Sequence, residues 1–282
     1  MLLTTMKGLP CISALIVLAL FFQPVPLQGQ TAGRFKISGT LSASDLGSWR
    51  TIQKGVEQRK IALLRAEPNY TLELRLLRFD SKVIGARILS SSDLQLKSAT
   101  VKDFVEKSGA IAAINANYFD ERGRPLAYLK TGNNEINRAL SKHALYTGVF
   151  AVADGHPQVM HRDDFSPAQA SEALQSGPLL LNRGAPVETM RNLGRYARRA
   201  VLGVDKTGRV IIAVTDAVLG GLSFVELQEL FANGKWQLDT PDLLNLDGGG
   251  SAQLYFKSGR SEESVPGTSE VPVAIGFFVK AN

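Results

Sequence analysis

The sequence predicts an α+β fold, a mixed and largely antiparallel sheet core with a few short helices in a single domain. Three observations lead there. Apolar segments are short and lie beside turn formers, as in Ile111-Ala-Ala-Ile114, Gly148-Val-Phe-Ala-Val152 and Pro178-Leu-Leu-Leu181. Leu72-Glu-Leu-Arg-Leu-Leu-Arg-Phe79 begins in the strict alternation of a half-buried strand. Helix signals are few and interrupt the strands irregularly, with no repeating strand-helix unit.

Taken in order, residues 1–30 read as a secretory signal peptide, with Lys7, an apolar run from Ile12 to Phe22, and a Pro-containing polar tail. That run falls short of the roughly 20 residues a membrane span needs. Residues 31–69 are an N-terminal extension or leading strands, and residues 70–282 form the main domain. Thr100 to Ser108 opens with Thr-x-x-Asp and stops at Gly109, a first helix. Ser166 to Leu174 is expected to be a second. Ala200–Val204 and Arg209–Val214 flank Asp205-Lys-Thr-Gly208, a hairpin with glycine at its turn. Ser223 to Ala232 is a third helix, with a capping box of Ser223 and Glu226, ending before Asn233-Gly234. Lys257 to Pro272, rich in Ser, Glu and Gly, reads as an exposed loop, and Ala274–Val279 as the closing strand.

The hydrophobic fraction of 44% suffices for one sizeable core. Lys7 is the only charge among the first thirty residues, so the formal charge of +6 becomes +5 without them. With a sequence pI near 9.4, acidic partners such as phosphorylated glycans or an anionic envelope are attracted. The densest basic group is Arg191, Arg195, Arg198 and Arg199, without the interleaved aromatic platform of a nucleic-acid groove, which argues against nucleic acid. Cys11 is the single cysteine and lies in the signal, so the mature chain has no disulfide and no thiol nucleophile or ligand. Export without disulfides suits a bacterial envelope, hence a secreted or periplasmic protein with no stable membrane span once the signal is removed. Only His143, His156 and His161 are available for zinc, in no metal-binding spacing, and there is no Asp-x-Asp-x-Asp-Gly calcium loop. No cofactor is expected, although calcium through Asp247 and backbone oxygens stays open.

Four stretches carry chemistry. In Leu243-Leu-Asn-Leu-Asp-Gly-Gly-Gly-Ser251 a buried strand delivers Asp247 to its end, and Gly248, Gly249 and Gly250 permit positive φ and close approach. Their amides, with the Ser251 hydroxyl, could cradle an anion. A tight turn in which Asp247 bonds its own amides is the plainer alternative. In Ala112-Ala-Ile-Asn-Ala-Asn-Tyr-Phe-Asp120 a strand ends in Asn115 and Asn117, whose amides suit sugar hydroxyls, then two aromatics and Asp120. Asn117 could take a left-handed backbone. Gln175-Ser-Gly-Pro178 sets Ser176 and Gly177 at the head of a strand. Arg199 ends the arginine cluster just before another strand, and its planar fork suits phosphate.

This ordered set, Asn115 to Asp120, Gln175 to Leu180, Arg199 to Asp205, Leu222-Ser-Phe-Val-Glu-Leu227 and Asn245 to Ser251, resembles the phosphodiester glycosidase family over roughly residues 70 to 280. Asn117 stands where many relatives have glycine, and Leu126-Ala-Tyr128 replaces a more glycine-rich segment. The resemblance implies hydrolysis at the anomeric carbon of a sugar-1-phosphate diester, on a phosphorylated glycan or a small sugar phosphodiester. In that chemistry Arg199 would take the phosphate with the amides of Gly248 to Gly250 and Ser251. Asp247 would act as base, nucleophile or electrostatic stabiliser, Asn115 would orient sugar hydroxyls, and Asp120 and Asp216 would be reserve carboxylates. Two rivals remain. A Ser-His-Asp hydrolase would use Ser176 or Ser251, neither in Gly-x-Ser-x-Gly. A non-catalytic envelope glycan- or exopolysaccharide-binding module would use the same pocket without turnover.

Overall fold

The structure, a computed structural model, describes residues 35–132, 134–188 and 194–281. The signal peptide and Arg191 lie outside the described residues. Within them, strands far outweigh helices, and every strand pairing is antiparallel. The expected antiparallel core is therefore present, but the fold is β-rich rather than an even α+β mixture, and no parallel pair makes the sheets mixed.

Three sheets build it. The largest has ten strands, and its central ladder runs Leu41–Asp45, Val56–Arg65, Tyr70–Phe79, Val210–Asp216, Ala200–Val204, Asp242–Asn245 and Leu179–Asn182. A second, five-stranded sheet is ordered His156–His161, Gly148–Ala153, Glu172–Ser176, Leu129–Thr131 and Asn134–Asn137. The third runs Ser261–Val265, Leu254–Ser258, Ala112–Asn115, Val273–Val279 and Ile84–Ser90. One face of the large sheet packs on the two smaller ones, giving a core that joins Phe79, Leu202, Ile212 and Leu244 to Phe150, Leu174, Ile114 and Phe277. Phe79 and Phe277 stack there with ring centroids 3.9 Å apart. The opposite face is covered by the helix Phe224–Ala232 (α2) and Trp236. The helix Val101–Ser108 (α1) covers the outer face of the third sheet through Phe104 and Val105.

Both helices begin where their capping boxes place them. Thr100 and Asp103 exchange bonds at one, Ser223 and Glu226 at the other, and Gly109 ends α1 with φ 78°. The Ala200–Val204 and Val210–Asp216 hairpin is also as expected. Two expectations fail. Ser166 to Leu174 is not a helix: a short 3-10 turn at Pro167–Gln169 is followed by the strand Glu172–Ser176, wedged between neighbours on both sides. Lys257 to Pro272 is not one loop either, because Leu254–Ser258 and Ser261–Val265 pair as a hairpin. Its polar composition reflects an ionic contact: the buried Glu263 accepts from Gln58 and pairs with Arg75 at 2.5 Å and Lys60 at 3.2 Å on the large sheet.

Candidate active site

The candidate residues gather where the chain crosses from one sheet to another. Asp247 lies in the crossing from Asp242–Asn245 of the large sheet to Leu254–Ser258 of the third. Ser176 and Gly177 lie in the crossing from the second sheet to Leu179–Asn182 of the large one, and Asn115 ends a strand of the third. At such crossings the ladder stops, so backbone and side-chain groups must find other partners.

The three glycines have separate reasons. Only Gly249 has positive φ, at 60°, with open space where a Cβ would stand. A Cβ on Gly248 would sit 2.8 Å from the Arg198 carbonyl oxygen, and one on Gly250 would sit 2.7 Å from Thr268 Oγ1 and 2.8 Å from Ser269 Oγ. Three of the four amides expected to face an anion are turned to acceptors of the protein itself. The Gly248 N–H donates to Asp247 Oδ1 (2.9 Å), the Gly249 N–H to the Arg198 carbonyl (2.9 Å), and the Ser251 N–H to the Gly248 carbonyl (3.2 Å). The loop thus holds its own aspartate. Burial lifts the Asp247 pKa above the ordinary carboxylate value, against the opposing bonds from Ser251 and Gly248.

Asn115 is wholly buried, and its amide is spent on backbone: Nδ2 donates to the Asp247 carbonyl (2.7 Å) and Oδ1 accepts the Gln253 N–H (3.1 Å). It positions the Asp247 backbone and, wholly buried, does not face a sugar hydroxyl in this structure. Asn117 does not take the positive φ of a left-handed backbone, contrary to expectation. Its side chain is buried with neither amide atom partnered, and the buried Ser176 Oγ and Asn245 Oδ1 are likewise unpartnered.

Tyr118 joins these segments. Its hydroxyl donates to the Gly177 carbonyl (3.0 Å) and accepts from Asn245 Nδ2 (3.1 Å). Burial and the nearby Asp247 charge push its pKa up, while Arg199 pulls it down, so both charges lie within electrostatic reach of one phenol. Tyr146 packs tilted against Tyr118, with centroids 5.6 Å apart and 44° between the ring planes.

Arg199 directly precedes the strand Ala200–Val204, and its side chain reaches the first residue of α2. Its guanidinium is over the Phe224 ring at 4.0 Å, Nε donates to the Leu222 carbonyl (3.0 Å), and Nη2 donates to the Arg195 carbonyl (2.7 Å). Burial lowers its pKa. Among the described residues neither Arg199 nor Asp247 belongs to an ion pair. Arg195 is exposed, and Arg198 ties loops together through the Ala252 and Pro266 carbonyls (2.9 and 2.6 Å).

The reserve carboxylates are committed elsewhere. Asp120 closes its own turn, accepting the Arg122 and Arg124 amides at 2.9 Å and pairing with the Arg124 guanidinium at 2.7 Å. Asp216 pairs with Arg75 (3.2 Å), on the Glu73 and Glu263 side. Asn245, Tyr118 and Tyr146 join the site without having been singled out. Asn245 stood in the quoted glycine stretch, and Tyr118 was readable equally as core. Nothing local marked Tyr146. Among the described residues, no three His, Cys, Asp or Glu side chains cluster as metal ligands, and no helix is long and apolar enough to cross a membrane.

A family model for phosphodiester glycosidases matches residues 108–280. Among solved structures, the zebrafish N-acetylglucosamine-1-phosphodiester alpha-N-acetylglucosaminidase catalytic domain, auto-inhibited by its pro-peptide, superposes with a TM-score of 0.63 at 13% identity, covering 86% of this chain and 89% of that one. A hypothetical protein from Synechocystis superposes with a TM-score of 0.62 at 16% identity, covering 83% of this chain and 64% of that one. Among curated proteins, none matches this sequence.

Proposed function

The chain belongs to the phosphodiester glycosidase family, and on that premise we propose that it is an exported hydrolase that cleaves a sugar-1-phosphate diester at the anomeric carbon, releasing free sugar and a phosphomonoester. One observation carries the reading. A half-buried arginine and a half-buried aspartate both act electrostatically on Tyr118, and among the described residues neither belongs to an ion pair. Charges at such depth that are held by hydrogen bonds but lack a counter-ion are costly unless a ligand supplies one.

The chemistry asks for little more. A phosphate ester is already an acidic leaving group, so its departure needs a cation rather than a strong proton donor, and Arg199 supplies the cation. The developing oxocarbenium centre needs a carboxylate, which Asp247 supplies as nucleophile, as base toward water, or as electrostatic partner. Asn115 holds the backbone of that aspartate, and the glycine loop holds its carboxylate. The unpartnered atoms of Asn117, Ser176 and Asn245 are buried in this structure, so a sugar hydroxyl meets them only where binding uncovers them.

The test is incubation of the purified chain, with and without chelator, with a panel of sugar-1-phosphodiesters, beside Asp247→Asn and Arg199→Ala. The expected result is sugar release by wild type, insensitive to chelator, with turnover lost in Asp247→Asn while ligand still binds. Binding without release by the wild-type chain would instead make it a glycan-binding module, and loss of activity on chelation would bring calcium into the site.

A further inference from the structure

Residues 141–147 contain no helix or strand, yet two side chains grip their backbone. The buried Gln175 accepts the Ser141 N–H (2.7 Å) and donates to the Ser141 and Tyr146 carbonyls (both 2.7 Å). Arg162 Nη1 donates to the carbonyls of Ser141 (3.2 Å), His143 (2.7 Å) and Tyr146 (3.3 Å). The segment also lies directly against Gly177, where a Cβ would stand 2.1 Å from the Leu145 carbonyl oxygen. Ordering an irregular surface segment to this degree costs backbone entropy at every residue, and what it fixes is a pair of rings. His143 and Tyr146 lie with centroids 5.4 Å apart, and Tyr146 in turn rests 5.6 Å from Tyr118.

The rings form a row that begins beside the aspartate: the Tyr118 hydroxyl accepts from Asn245, two residues before Asp247, and Tyr146 and then His143 follow it. The Asp247 charge also acts on both tyrosines. His143 Nδ1 accepts the Leu145 N–H (3.2 Å), which places the proton of the neutral ring on Nε2 as an outward donor.

We propose that Tyr146, backed by His143 on the pinned 141–147 segment, is the platform on which the sugar ring of the substrate stacks, and that it sets selectivity for the glycone. This rests on the glycosidase reading: with phosphate at Arg199 and the anomeric carbon at Asp247, the ring extends over Tyr146. The ligand class is a hexopyranose with a contiguous C–H face, which an aromatic ring accepts without hydrogen bonding.

The test separates the two readings. Binding of inorganic phosphate and of glucose 1-phosphate is measured calorimetrically for wild type, Tyr146→Ala, Tyr146→Phe and Arg199→Ala, each first checked for an unchanged melting temperature. Tyr146→Ala is expected to weaken glucose 1-phosphate about tenfold and leave inorganic phosphate unchanged. Tyr146→Phe should bind both as wild type does, and Arg199→Ala should lose both. Equal weakening of both probes in Tyr146→Ala, or no weakening of the sugar phosphate, overturns the platform, as does a wild type that binds phosphate but gains nothing from the sugar. Diester hydrolysis undiminished in Tyr146→Ala would remove the platform and keep the glycosidase. Selective sugar-phosphate binding in a chain that hydrolyses no diester would do the reverse.

Discussion

Asp247 is under two opposing influences: burial disfavours its charge, and the Ser251 hydroxyl and Gly248 N–H favour it. Burial dominates, which fixes two signs. If the ionised form does the chemistry, turnover falls on the acid side at a pH above the ordinary carboxylate value of 3.8. A pH–rate profile checks this. For stability, a carboxyl whose folded pKa is raised contributes fully below its unfolded pKa, and that contribution is lost as pH rises through the folded value. Asp247→Asn should therefore melt higher than wild type at neutral pH, and the gain should vanish in acid. Arg199 and Arg195 make the second contrast. Arg199→Ala should cost about 10²-fold or more in kcat, while Arg195→Ala, which removes an exposed side chain but keeps the carbonyl that Arg199 uses, should change the rate little. Equal losses would mean that the cation has been assigned wrongly.

The glycine run shows why a motif legible in sequence can have reasons that are not. Its presence beside an acid was readable, but the cause at each position depends on a neighbour far along the chain. Gly248→Ala would press a Cβ on the Arg198 backbone, which cannot yield. Gly250→Ala would meet the ends of Thr268 and Ser269, which can turn aside. Gly249→Ala would meet nothing and pay only for its left-handed backbone, about 1 kcal/mol. Denaturant unfolding should rank Gly248→Ala as the most damaging. The same division explains the elements. α1 and α2 were legible because a capping box is a local device. Glu172–Ser176 was not, because its strand character comes from two partner strands that no local window contains. Polar residues in Ser261–Val265 concealed a strand for a related reason, since Glu263 is buried only because Lys60 and Arg75 reach it. Asn115, read as a sugar contact, turned out to hold the Asp247 backbone, a distinction that needs the partner's position.

Across the whole molecule, residues 35–69 belong to the core architecture even though the family match begins at residue 108. Val56–Arg65 pairs along its full length with Tyr70–Phe79, and Arg65, 0% exposed, grips Glu226 with two bonds of 2.7 and 2.9 Å. The same guanidinium donates to the Gly221 carbonyl (3.1 Å) beneath the Tyr196 ring, next to the Leu222 carbonyl that Arg199 uses. Glu226→Gln keeps the shape of the helix cap but leaves that cation unpaired in the interior, so chemical denaturation should show a loss of about 3–5 kcal/mol. A loss within 0.5 kcal/mol, about that of an ordinary surface change, would show that the pair is not a structural support. The site depends on this scale too, because its residues come from three sheets and meet only when all three have formed. The central claim is that this assembly breaks the bond between the anomeric carbon and oxygen rather than the bond between phosphorus and oxygen. Hydrolysis of a sugar-1-phosphodiester in ¹⁸O-labelled water, followed by mass spectrometry of both products, tests it most directly. The label should appear in the released sugar and be absent from the phosphomonoester; label in the phosphomonoester would contradict the account.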